Sequence, residues 1–395
     1  MIYAIATRST PDNAAETASP ADEHGSLAVR LYRDHAELEA IWRRLEKVGR
    51  CTVFQTYDWA ACWYDTVMSC GAAEPLIVVV YDGARPIWIM PLCLYRRKGL
   101  RILSFADQGV SDYAAPVMAD TFSMTKDAAR AITDRILAAL PPCDLVYFQK
   151  LADKVEDMPN PLLSLPGIAR FPASCYGIRL DRPWPELAAK IMQPRLRSTI
   201  RRQKKRIEKQ GAVTVTQDSR PDALTTALDR LMALRQARFD VIGREDMPPL
   251  WRNFYHMLAA RQGRTLEVSV TTMAVAGEAV ATCFGLTRND AYHVLLPTFA
   301  MGKWEQFRPG MLLYDAMLAG HAIQTGNRGY FDFTIGDEPY KKRFGSESHP
   351  LYEWMAPRSA LGLLPYLAWR LKIYLRRHPR IFAIARKALK RRQTI

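Results

Sequence analysis

Residues 266–297 read LEVSVTTMAVAGEAVATCFGLTRNDAYHVLLP, and the fold is decided there. Three runs rich in β-branched and aromatic residues, Leu266 to Val275, Ala279 to Arg288 and Ala291 to Pro297, are broken by turns at Gly277-Glu278 and Asn289-Asp290. Strand, tight turn, strand is a strong hairpin signal, and two in succession make an antiparallel meander. Working outward, Pro221 to Asp240 and Pro249 to Gln262 carry helical periodicity upstream. Downstream, Pro309 opens a helix that runs to Thr325, followed by a strand from Tyr330 to Thr334. The spacing therefore predicts an α/β unit whose mixed, mostly antiparallel sheet is flanked by helices.

The first half follows the same grammar less cleanly. Leu27 to Tyr32 reads as a strand, and Ala36 to Val48 as a helix with Leu38, Ile41, Trp42 and Leu45 on one face. A helix from Asp58 to Ser69 precedes the hairpin Pro75 to Tyr81, Asp82-Gly83, Pro86 to Tyr95. A helix over Lys126 to Leu140 and a strand over Leu145 to Phe148 follow, and then Pro159, Pro161, Pro166 and Pro172 mark a loop-rich stretch. The two halves suggest a structural duplication without visible sequence repeat. The expected organisation is a leader at 1–25, a first domain at 26–185, a second at 186–353 and a basic amphipathic tail at 354–395.

Charge is concentrated rather than general. Of the formal +15, residues 354–395 supply eleven Lys or Arg and no Asp or Glu, and Arg195 to Lys209 holds eight basic residues against Glu208 alone. A mildly charged body with two basic surfaces argues against a general nucleic-acid binder and points to local contacts with anions. In Arg195 to Lys209, Leu196, Ile200 and Ile207 share a helical face that packs while the rest meets solvent or polyanion. The tail interleaves Leu361, Leu363, Leu364, Tyr366, Leu367, Trp369, Leu371, Ile373, Tyr374 and Leu375 with Arg370, Lys372, Arg376 and Arg377, and adds a short basic helix from Ile381 to Arg392. That composition fits packing up to about Tyr374 and contact with an anionic membrane surface beyond it.

Seven cysteines without a C-x-x-C pair, and no zinc-like His spacing, suggest a reducing compartment and no metal. No apolar run approaches the ~18 residues that span a bilayer, so the expected location is cytoplasmic, with the tail allowing peripheral contact at the inner membrane face.

Three blocks, Phe54-Gln55-Thr56 with Trp59 and Trp63, Arg195 to Gly211, and Phe331-Asp-Phe-Thr-Ile-Gly-Asp-Glu-Pro-Tyr-Lys-Lys-Arg-Phe344, occur in that order. Together they resemble the GNAT-like acyltransferases that include the CelD-type proteins of polysaccharide biosynthesis, relatives of the FemAB peptidoglycan aminoacyltransferases. The resemblance implies two tandem GNAT-like domains and an acyltransferase, most simply an N-acyltransferase, with acyl-CoA as donor. It also implies a small-molecule, glycan-linked or lipid-linked acceptor. It places the carrier at Val294 and Leu295 on a splayed strand and at Arg308 and Gly310 before the next helix, where a helix N-terminus receives phosphate. Arg308-Pro309-Gly310 is shorter than the family's usual glycine-rich run, which leaves aminoacyl-tRNA as an alternative donor and a non-catalytic binding protein at a membrane synthesis complex as another.

Acyl transfer needs a proton acceptor, an oxyanion donor and a grip on the carrier. In the third block Asp332 or Glu338 would orient the acceptor, and Lys341 and Arg343 would bind phosphate or oxyanion charge. Gln55, Trp59, Asp337 and Tyr340 would contact substrate, and His293 would serve as a base. The plainer alternatives are that Asp332 caps a turn and pairs with Arg343, that Lys341 is solvated, and that His293 is a packed side chain.

Overall fold

The computed structural model describes residues 27–120, 125–261 and 265–378. The leader at 1–25 and the basic run Ile381 to Arg392 lie outside the described residues.

The first half runs β1 (Leu27–Tyr32), α1 (Glu39–Val48), α2 (Tyr57–Met68), β2 (Glu74–Asp82), β3 (Arg85–Arg97), β4 (Leu100–Phe105), α3 (Lys126–Ala139), β5 (Leu145–Ala152) and β6 (Ala169–Arg179). The second runs α4 (Trp184–Ile191), α5 (Pro194–Ile207), β7 (Val213–Asp218), α6 (Pro221–Val241), α7 (Pro249–Arg261), β8 (Glu267–Val275), β9 (Glu278–Arg288) and β10 (Ala291–Phe299). It continues with α8 (Pro309–Gln324), β11 (Tyr330–Ile335), α9 (Pro339–Arg343), β12 (Glu347–Pro357) and α10 (Ala360–Arg377).

All twelve strands join one mixed sheet in the order β1-β2-β3-β4-β5-β12-β6-β11-β10-β9-β8-β7, with the two-residue strand Val117–Met118 added beside β3. Along this path the pairing is antiparallel except at two places, β4 beside β5 and β10 beside β11. Each half thus contributes a four-stranded meander and then a parallel strand. The last strand of each half crosses over: β6 pairs with β11 and β12, and β12 pairs with β5 and β6. The sheet is flanked by helices, as the α/β reading expected, and the tandem arrangement is visible in its topology.

Burial follows from the layers. In β2, Leu76 to Val80 are all fully buried, as a strand covered on both faces requires, whereas β10 alternates buried and partly exposed residues. Helices from one half cover the other: α7 packs on α2, with Phe254 edge-on to Trp59 at 4.8 Å between centroids. Buried Arg288 of β9 donates to the carbonyls of Cys51 (2.9 Å) and Glu46 (2.6 Å) and pairs with Glu156 at 2.7 Å. The halves are locked by strand exchange, by an aromatic cluster and by a satisfied guanidinium.

Two expectations change. The stretch read as proline-rich loop contains one 3₁₀ turn, Pro161–Ser164, but continues into β6, so Pro172 lies within a strand. The tail does not pack evenly as far as Tyr374. Trp369 is buried, and it lies with Tyr366 and Ile373 against Ile102, Leu145 and Met355, while Leu361, Leu364, Leu367, Leu371 and Tyr374 are each more than half exposed.

Candidate active site

The parallel contact of β10 with β11 is short. Its partners are Ala291 with Tyr330, Tyr292 with Phe331 and His293 with Asp332, beyond which the two strands part. The β9–β10 ladder slips at the same level: Phe284 faces Leu296 and Gly285 faces Val294, leaving Leu295 as a bulge. A side chain at position 285 would overlap the Tyr292 hydroxyl, so glycine permits this close approach.

Asp332 is only 5% exposed, and a buried carboxylate must be satisfied. It accepts from the Tyr113 hydroxyl at 2.8 and 2.7 Å, from the Thr334 amide at 2.7 Å and faces His293 Nδ1 at 3.1 Å. Burial first, and then the charge of Asp332, push the Tyr113 hydroxyl well above its ordinary pKa, so it keeps its proton and donates. With Nδ1 turned to Asp332, the His293 Nε2 atom has no hydrogen-bond partner among the described residues. Asp332 does make the turn bond to Thr334, but it does not pair with Arg343.

Tyr113 ends a loop that follows β4. Asp107 accepts from the amides of Gly109 (3.0 Å) and Ser111 (2.8 Å), and Lys150 of β5 pairs with it at 2.8 Å while also donating to the Ser111 carbonyl. From beneath, Trp59 Nε1 donates to Ser111 Oγ at 3.0 Å and Gln55 Nε2 to the Tyr113 carbonyl at 3.0 Å. Gln55 and Trp59 were expected at the substrate. They are 2% and 0% exposed, and they hold the loop instead. Between the anchored Ser111 and Tyr113, desolvation pushes the Asp112 carboxyl up to about 6. The Lys150 charge opposes that rise, and the charges of Asp107 and Asp332 add to it.

The third sequence block is more structural than its charges suggest. Thr334 sits in the left-handed region at φ 57°, which is strained for a β-branched residue. Its hydroxyl donates to the Val294 carbonyl (2.8 Å), and its own carbonyl accepts from Lys341 (3.2 Å). Lys341 is 2% exposed, and its ammonium is taken up by the carbonyls of Thr334 and Ile335 and by Glu338 at 3.0 Å. It is neither solvated nor free to bind a phosphate. Exposed Asp337 accepts from Tyr176 at 2.7 Å, and the Tyr340 and Tyr314 hydroxyls lie 3.1 Å apart. Arg343 is exposed and makes no ion pair among the described residues.

At the entrance to α8, Arg308 holds φ 55°, and a side chain at Gly310 would press to 3.3 Å on the Phe299 ring. Arg238 of α6 lies 4.1 Å over the same ring, half-buried, with Nε unpartnered among the described residues. Burial and then Arg235 lower its pKa, which leaves an incompletely satisfied guanidinium at this end. On α5 the apolar face is buried at Leu196, Ile200 and Ile207, every basic residue is exposed, and Arg206 lies 5.2 Å over Phe307.

Asp112, Tyr113, Lys150 and Arg238 are the residues that sequence reasoning missed. The polar run Asp107-Gln-Gly-Val-Ser-Asp112 after an apolar stretch is the one local signal for the loop. Among the described residues no group of His, Cys, Asp and Glu is arranged to hold a metal ion.

A parted parallel seam, a bulged strand and a helix entrance beside it define a class, and residues 194–342 match the family described as acetyltransferase (GNAT) domain. The chain is thus an acyltransferase that carries a GNAT domain in its second half. No curated protein matches the sequence. Among solved structures, FemX is similar at TM-score 0.56 and 11% identity, covering 83% of this chain and 97% of its own. A conserved protein of unknown function from Bacteroides thetaiotaomicron VPI-5482 is similar at 0.52 and 13%, covering 84% and 99%. At these identities the likeness concerns the fold, which extends over both halves.

Proposed function

We propose that the chain moves an acyl group from a thioester carrier, acyl-CoA, to an amine or hydroxyl of a sugar-linked or lipid-linked acceptor, as in envelope polysaccharide synthesis. The observation that carries this reading is the His293–Asp332 pair at the end of the β10–β11 seam, with Asp332 buried and held by Tyr113 from the other half. Asp332 fixes the imidazole so that Nε2 is the proton acceptor. The acceptor's nitrogen or oxygen attacks the thioester carbon as its proton passes to His293. The C–S bond then breaks, and the departing thiolate takes that proton back.

The residues present fit the carrier. The bulge takes Leu295 out of the β9–β10 pairing, which frees a backbone amide of the kind a developing oxyanion needs. The N-terminus of α8 beside Gly310 suits a pyrophosphate, with Arg238 and Arg308 at hand. Asp112, with its raised pKa, is the carboxylate we assign to the acceptor, and Arg343, Asp337 and Tyr340 are further contacts. Thermal shift tests the donor: acyl-CoA at a hundredfold excess over Kd stabilises the chain by about 2.7 kcal/mol and so raises its melting temperature. No shift with acyl-CoA but a shift with charged tRNA overturns the donor. That second reading is favoured by one observation, the exposed basic face of α5 beside Phe307. Binding of acyl-CoA with no acceptor-dependent thiol release would favour the non-catalytic reading.

The same proposal includes a membrane contact. No described helix is long and apolar enough to cross a bilayer. The outer stripe of α10, Leu361, Leu364, Leu367, Leu371 and Tyr374, is flanked by Arg370, Lys372 and Arg377, while Arg376 is held by Glu353 at 3.0 Å, and the helix itself carries no acidic residue, which suits an in-plane seat on anionic lipid. Cosedimentation with anionic vesicles tests it: Leu364→Asp with Leu371→Asp releases the protein, and undiminished binding by that variant refutes the contact.

A further inference from the structure

The first half has a parted seam of its own. β4 and β5 run parallel through Ile102 with Leu145 and Leu103 with Val146, and then separate. A cavity of about 500 Å³ runs along this seam, from Arg96 and Arg97 beside the β3–β4 turn to Ser104, Asp107, Gln149 and Lys150 where the strands separate. That volume suits a small organic ligand rather than a lone ion. The lining has an excess of cations: Lys150 is paired with Asp107, whereas Arg96 and Arg97 are exposed and make no ion pair among the described residues. The carboxylate within the field of Arg96, that of Asp144, is already bonded by the Arg101 amide and by Ser359.

We infer that this cavity is a second ligand site, one that takes a phosphate-bearing group of the acceptor. Guanidinium forks recognise such groups bidentately. Two further features give the site a purpose. Gln108 and Lys150, both on its wall, hold left-handed backbone at φ 42° and 53°, the kind of strain that persists where a site is built. Lys150 also donates to the Ser111 carbonyl, one residue from Asp112, so a ligand seated here borders the loop that carries Asp112 and Tyr113. Tyr95 and Tyr147 line the cavity and also pack in the cluster around Trp369 of α10, so the site adjoins the proposed lipid seat.

The inference rests on the acyl-transfer reading for its purpose, and the test separates the two. Pyrophosphate is titrated into the full chain with coenzyme A saturating, so that the α8 end is occupied. A parallel arm uses phosphatidylglycerol vesicles to distinguish a lipid headgroup from a soluble phosphate. Arg96→Ala with Arg97→Ala weakens pyrophosphate or vesicle binding by about tenfold or more while leaving coenzyme A affinity unchanged. Arg96→Lys with Arg97→Lys retains part of the loss-prone affinity, as charge without the fork predicts. Unchanged affinity in both arms for the alanine pair overturns the site. If the wild-type chain fails to bind coenzyme A yet binds pyrophosphate, and the alanine pair weakens that binding, the site stands and the transfer reading falls.

Discussion

The two parallel seams are the same backbone device furnished in two ways. In the first half the seam closes on Leu103 beside Val146, both fully buried. In the second it closes on His293 beside Asp332, and the carboxylate is met by Tyr113, Thr334 and the imidazole. Parting the strands makes a gap in either case. What differs is whether the last pair can hold a proton, and whether the other half sends a donor to steady the charge. On the proposed assignment, the duplicated fold keeps one gap for chemistry and leaves its twin for recognition.

The comparison can be broken most sharply at its polar end. Asp332→Asn should lower acceptor-dependent thiol release by about 10²- to 10⁴-fold, the usual range for losing acid–base assistance, with the melting temperature moving little. A comparable loss should follow His293→Gln, and a rate left unchanged by either would remove the pair from the chemistry. At the apolar end, Val146→Asp places a carboxylate where no counterpart of Tyr113 meets it. Denaturant unfolding should show a loss of about 3–5 kcal/mol, as for an uncompensated buried charge. A smaller effect is expected at the link between halves: Tyr113→Phe removes a hydrogen bond to a charged acceptor, about 1.5–3 kcal/mol, or roughly tenfold or more in kcat/KM.

The smallest expected effect is in pH. Because the folded-state pKa of Asp112 is raised from 3.8 to about 6, the folded chain binds more protons than the unfolded one between those values. Stability from this group therefore falls as pH rises through that window, and Asp112→Asn should flatten the slope of melting temperature against pH. In activity the sign is opposite, since the ionised form is the useful one. The rate should climb through about pH 6, and the Asn variant should lose that limb.

Much of this was legible in the sequence, for local reasons. The hairpins at Asp82-Gly83 and Asn289-Asp290 and the Pro-initiated helices α6 and α8 are written in short-range chemistry, and His293 and Asp332 stand out on strands. The strands β6 and β12 were not visible because Pro172 and Pro350 argue against central strands, and Pro350 is tolerated at a slip in register. β4, a six-residue run, was missed, and with it the loop bearing Asp112 and Tyr113. Lys341 misled because no neighbour in sequence announces that its ammonium turns inward to two carbonyls. The partner of Asp332 comes from 219 residues away, a distance at which pattern carries no information.

The crossing of β6 and β12 sets a schedule for the chain as it leaves the ribosome. β6 is complete at Arg179, but its neighbour β11 begins only at Tyr330, about 150 residues later. At ~5–20 residues per second that is a wait of roughly 8 to 30 s. Throughout it the first meander has an unzipped border, open to mispairing with other nascent strands. The two halves are therefore born in sequence but mature together.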